Sequence, residues 1–106
     1  MAKRKTKTAS EIIRGWHRHD PQMQQLIEDA KVNAHVAQLI YDARTAAGLT
    51  QKQLADLIGS TQPMISQLED SDYEGHSLTM LNRIAEALHL HLEINLVPPP
   101  EEQEAA

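Results

Sequence analysis

Gln51-Lys-Gln-Leu-Ala-Asp-Leu-Ile-Gly-Ser-Thr-Gln-Pro-Met-Ile-Ser-Gln-Leu-Glu69 is the stretch whose reading decides the fold. Its apolar spacing predicts two short helices, Gln51 to Ile58 and Gln62 to about Glu69, broken at Gly59. Thr50 stands where the first needs a cap, Thr61 or Ser60 where the second does, and Pro63 falls in the second's first turn. Two short helices that cross steeply need a small residue where their backbones approach, and Ala55 supplies it. The turn needs a positive φ, which Gly59 adopts at little steric cost. The inner faces need apolar groups, met by Leu54 and Ile58 on the first helix and by Ile65 and Leu68 on the second. An ordinary helical hairpin would not require all six at these offsets.

Such an arrangement is a helix-turn-helix, and the rest of the chain is read outward from it. Upstream, Asp20-Pro21 pairs an N-cap acceptor with the residue best tolerated at the first helical position. Apolar residues recur from there at Met23, Leu26, Ile27, Ala30, Ala34 and Ala37, then shift to Val36, Leu39, Ile40 and Ala43. That shift fits one long helix or two broken near Asn33. Gly48 ends the run as a left-handed cap would. Further upstream, Ser10 opens a short helix to about Arg18, and Met1 to Ala9 is a basic tail expected to be disordered.

Downstream, Asp70 to His76 is a polar loop and Ser77 caps a helix with the apolar face Leu78, Leu81, Ile84, Ala85 and Leu88. The period then changes to two, with Leu90, Leu92, Ile94 and Leu96 alternating with His91, Glu93 and Asn95. That alternation predicts a strand over 91–97, stopped by Pro98-Pro99-Pro100, which open an acidic tail, 98–106.

Composition limits the rest. The 106 residues contain no Cys and no Phe, one Trp and two Tyr. There is accordingly no disulfide framework, thiolate metal site or thiol nucleophile. The length suits one small domain with appendages and is short for a two-domain enzyme. The basic start lacks the apolar run of a signal peptide, and no stretch approaches a membrane span, so a cytoplasmic protein is expected. The net charge of −5 is unevenly spread. Residues 1–35 hold seven basic and four acidic groups, net +3; residues 36–106 hold three and eleven, net −8.

From Val36 to Leu90 the chain resembles the Xre family, the helix-turn-helix domains of lambdoid phage repressors. The resemblance rests on Arg44 ahead of Gly48-Leu49-Thr50-Gln51, the Leu54-Ala55 pair, Gly59, Ile65 and Glu69. It implies an all-α, lambda-repressor-like bundle, here with an N-terminal helical extension and one C-terminal strand. It also implies a structural ion pair between Arg44 and Glu69, which would withhold Arg44 from phosphate.

In such a bundle the helix from Gln62 would lie in the major groove of double-stranded DNA. Thr61, Gln62, Pro63, Ser66 and Gln67 occupy its first turn and outward face. A glutamine amide can donate to adenine N7 while accepting from N6, which makes Gln62 the leading base reader, with Ser66 and Gln67 behind it. Pro63 offers only apolar contact, where Xre relatives often carry a polar reader. Gln51 and the N–H groups around it would hold a phosphate, and Lys52 another.

Against this, residues 36–97 hold eight acidic groups to three basic ones, and the loop after the reading helix supplies three of the eight, Asp70, Asp72 and Glu74. Phage repressors tend to be basic there, so a single domain would neutralise few phosphates. Dimerisation, the arm Lys3-Arg4-Lys5-Lys7 or a basic partner would each compensate. A homodimer pairing the 91–97 strand, burying Leu92, Ile94 and Leu96, would set two reading helices roughly 34 Å apart on a palindromic operator.

The layout, with about 35 residues ahead of the domain and only a strand and tail behind, resembles the HigA-type antitoxins of toxin–antitoxin pairs. That resemblance implies an N-terminal segment, 10–35, that binds and neutralises a basic RNase toxin, while residues 36–90 repress the shared operon. Ile12, Ile13, Trp16, Met23, Leu26 and Ile27 would face the toxin. Two alternatives are a stand-alone Xre-type regulator and a protein-binding adaptor with little DNA affinity. No nucleophile–base pair or paired acids point to an enzyme. No cofactor is expected, and no metal either: His17 and His19 diverge on a helix, while His89, His91 and Glu93 on one strand face lack a fourth ligand.

Overall fold

The computed structural model describes residues 20–100, in which four helices follow one another: α1 (Pro21–Ala46), α2 (Gln51–Ile58), α3 (Gln62–Leu68) and α4 (Leu78–Ala87). Each starts on a side-chain cap. Asp20 accepts from the N–H of Gln22 and Met23, Thr61 from Met64 and Ser77 from Met80. Thr50 forms a full capping box with Gln53, each side chain bonding the other's backbone N–H. The short helix expected over Ser10 to Arg18 lies outside the described residues.

α1 is one helix of 26 residues, about 39 Å long. No Gly or Pro interrupts it after Pro21, so Asn33 costs a little propensity without breaking the ladder. Only its second half enters the core, through Ala37, Ile40 and Arg44, and none of residues 21–36 is buried.

α2 is the centre of the domain and packs against both α3 and α4. Ile40, Leu54, Ala55, Ile58, Ile65, Leu68 and Ile84 form one buried cluster, flanked by Val36, Met64, Tyr73, Met80, Leu81, Ala87 and Leu88. Leu54, Ala55 and Ile65 are fully enclosed. Ala55 thus sits where α2 meets its neighbours, and Gly59 turns the chain between α2 and α3 at φ +70°. Several of the predicted apolar positions stay outside, among them Leu78, in the first turn of α4, at 61% exposed, and Leu39 at 51%.

The C-terminal segment corrects the sequence reading. Among the described residues there is no strand, and 91–97 forms neither helix, turn nor bridge. A strand exists only through a ladder of inter-chain or inter-segment hydrogen bonds, and the described residues, whose regular elements are all helices, offer the segment no strand to pair with. Leu92 is half-buried in the groove between α1 and α4, whereas Ile94 is 60% and Leu96 99% exposed.

Candidate nucleic-acid interface

α3 is a seven-residue helix whose two faces divide cleanly. Ile65 and Leu68 seal it onto the core, and Gln62, Pro63, Ser66 and Gln67 stand exposed on the other side. Thr61 is also exposed, but its hydroxyl oxygen is occupied by the Met64 N–H at 3.3 Å. Among the described residues the side chains of Ser66, Gln67 and Pro63 make no hydrogen bond, leaving the middle of the helix open to a ligand.

The starts of α2 and α3 meet through a chain of hydrogen bonds. Gln62 Nε2 donates to Gln51 Oε1 at 2.6 Å, and Gln51 Nε2 donates to Glu69 Oε1 at 3.1 Å. Glu69, just past α3, also accepts from Arg44 Nε at 2.6 Å and from Arg44 Nη2 at 3.0 Å. The third arm of the guanidinium donates from Nη1 to the Leu49 carbonyl at 2.8 Å, tying the α1–α2 turn. Arg44 is 8% exposed, and its guanidinium lies 5.3 Å from the centre of the Tyr41 ring. The Glu69 hydrogen bond raises the Arg44 pKa, burial opposes it, and the charge of Glu69 and Tyr41 add smaller increases. With three nitrogens engaged inside the protein, Arg44 is withheld from phosphate.

Lys52 follows Gln51 at the start of α2, exposed and 2.8 Å from Asp56 one turn on. An exposed pair of this kind contributes little, so the ammonium is available to an anion nearby. After α3, Asp70 Oδ1 accepts from the Asp72 N–H, which shapes a loop exposing Asp70, Asp72 and Glu74. His76 clasps that loop back onto the helix: its Nε2 lies 2.6 Å from the Leu68 carbonyl, and its ring meets Tyr73 edge to face. Nε2 carries the proton to donate there, and Nδ1 on the other side of the ring is buried with no hydrogen-bond partner among the described residues.

Of the residues singled out from sequence, the structure joins Gln51 and Gln62 by a hydrogen bond, leaves Lys52, Thr61, Pro63, Ser66 and Gln67 exposed along the two helices, and pairs Arg44 with Glu69. Sequence reading treated Gln51 and Gln62 as separate contacts and missed their bond. A signal existed, since both open a helix and the crossing brings those two ends together. His76 gave none, because nothing local links it to Leu68.

The remaining candidates are scattered. Ile12, Ile13 and Trp16 lie outside the described residues. Met23 and Ile27 are half-buried on the first turns of α1, and Leu26 is 54% exposed. Among the described residues no group of three or more His, Asp or Glu could hold a metal ion, and no helix is long and apolar enough to cross a membrane. His17 and His19 lie outside the described residues.

Comparison with known families places a helix-turn-helix model on residues 40–95, just over half of the chain. No curated protein and no solved structure matches it significantly.

Proposed function

The chain belongs to the helix-turn-helix family, and from that premise we propose that it is a DNA-binding transcriptional regulator acting as a repressor at a palindromic operator. The observation that carries this reading is the exposed face of α3, where the Gln62 amide keeps one N–H and its Oε1 unengaged beside open Ser66 and Gln67. An amide in the major groove with both a donor and an acceptor free can read a base edge. Gln51 and Lys52 would hold the flanking phosphates, at the α2 end of the same side.

A homodimer suits this scheme. Each copy offers few cations, and Ile94, Leu96 and Val97 are more than half exposed on the unpaired C-terminal segment. Pairing two such segments would satisfy their backbone groups and cover those side chains. Selection from randomised duplexes tests the reading. The wild-type chain should enrich a two-fold sequence, and Gln62→Ala should lose selectivity at one base pair per half-site, roughly tenfold, while keeping non-specific affinity. Unchanged selectivity in that variant would reject the assignment.

A second reading, an antitoxin that neutralises a basic RNase toxin, is favoured by the outer half of α1. Leu26 is 54% and Val32 60% exposed there, next to a domain of strongly negative balance that attracts a cationic partner. Co-purification with the product of the adjacent reading frame tests it. Deleting residues 1–33 should restore toxicity in co-expression; undiminished neutralisation would exclude this reading.

A further inference from the structure

We propose that residues 1–19 of this chain dock back onto the outer half of α1, in the groove that α1 forms with the loop after α3. That groove, of about 390 Å³, is lined by Leu26, Asp29, Ala30, Val32 and Asn33 on the α1 side and by Glu74 on the loop side. Leu26 and Val32 each leave more than half of their surface open. Among the described residues the lining holds two carboxylates, Asp29 and Glu74, and no cation. Lys31, the basic residue of the same stretch, leans toward Glu28 at 3.4 Å instead.

An occupant has to bring apolar side chains and positive charge together. Residues 1–19, which lie outside the described residues, carry six basic groups and one acidic, net +5, and set Ile12, Ile13 and Trp16 among Arg14 and Arg18. Residues 20–100 carry four basic and eleven acidic, net −7, so the two parts attract. The tether is long enough: the eight residues from Ile12 to Asp20 span up to about 27 Å, and Val32 stands about 18 Å from Asp20 along α1.

Attachment also decides the contest with outside partners. A segment joined at Asp20 meets the groove at an effective concentration on the order of millimolar, so a contact too weak to hold a free peptide suffices. Trp16 supplies the largest apolar surface for that contact. Docking brings positive charge to Glu74 and to the loop that also carries Asp70 and Asp72. Part of the negative field beside α3 is thereby offset by the chain itself.

Trp16 is the one tryptophan of the chain, so its fluorescence reads the docking directly. In the full-length protein, acrylamide should quench it several-fold less than in the urea-unfolded chain, to the same degree at low and high protein concentration. Asp29→Lys with Glu74→Lys turns two attractions into repulsions and should lower the ratio of docked to undocked chains about tenfold. Both positions are exposed, so cooperative melting should persist while Trp16 becomes accessible. Arg14→Glu with Arg18→Glu leaves every described residue in place and should expose Trp16 likewise. Combining the two pairs of substitutions should restore the shielding. The proposal is overturned by a wild-type Trp16 quenched as freely as in urea, or by shielding that survives either pair of substitutions. A combined variant that fails to regain shielding also overturns it. So does shielding that grows with protein concentration, which gives the groove to a second copy.

Discussion

His89 adopts φ +59°, the left-handed turn that Gly48 and Gly59 make at +76° and +70°. In all three places the chain leaves a helix by the same route. Leu49 N–H closes on the Arg44 carbonyl, Ser60 on Ala55 and Leu90 on Ala85, each spanning five residues. Two of the three sites use the residue with no Cβ penalty, and the third bears a strain of about 1–2 kcal/mol. His89→Gly is expected to stabilise the domain by up to about 1 kcal/mol, raising the melting temperature by several degrees. Gly59→Ala should do the reverse by about 1 kcal/mol, and since no atom stands within 4 Å of an added Cβ, the cost is backbone strain alone. Both glycines were legible from sequence because each follows an apolar helical run. His89 was not, because the alternation beginning at Leu90 drew the eye to a strand. The buried pair behaves differently. Arg44→Met alone strands a carboxylate and should cost about 3–5 kcal/mol, while Arg44→Met with Glu69→Leu should recover much of it, as paired melting curves would show. The raised Arg44 pKa means its contribution is complete below the ordinary guanidinium range and is lost only as pH climbs through the still higher folded value. Arg44 ionisation therefore adds no pH dependence to stability in the neutral range.

Elements were legible where sequence carries both a stop and a start. Asp20-Pro21, Thr50, Thr61 and Ser77 begin helices in the structure, and the core face of α2 and α3 consists of Leu54, Ala55, Ile58, Ile65 and Leu68, as the spacing predicts. The continuity of α1 was not decidable, because its apolar residues drift from one face at Met23 and Ile27 to another at Val36 and Ala43. The drift belongs to one helix that is outside the core for its first turns and inside it for its last. The strand failed for a different reason: a period of two describes how side chains alternate, and says nothing of whether a partner ladder exists. Asp20→Ala separates the two halves of α1. Without its cap the first turn should fray, with hydrogen exchange accelerating at Gln22 and Met23, while global melting changes by less than about 0.5 kcal/mol because no core residue precedes Ala37. An equal loss in both measurements would show that the outer half is integral to the domain.

At the scale of the molecule, charge decides how it meets DNA. Among the described residues the basic side chains are Lys31, Arg44, Lys52 and Arg83, and Arg44 is sequestered. With one or two phosphates neutralised per domain, the logarithm of the binding constant should fall with the logarithm of salt at a slope of only about −1 to −2 per protomer. A slope steeper than about −4, reduced when Lys3, Arg4, Lys5 and Lys7 are replaced by alanine, would assign the missing cations to the N-terminal arm. The unbroken α1 has its own consequence. Its outer turns stand as a stiff mast some 24 Å long, rooted through Ala37, Ile40 and Arg44 in the same block that carries α3. Cargo lashed to that mast rides at a constant bearing to the double helix. Whether it would leave the domain seated on DNA or knock it loose becomes a matter of clearance and collision, fixed when the chain folds.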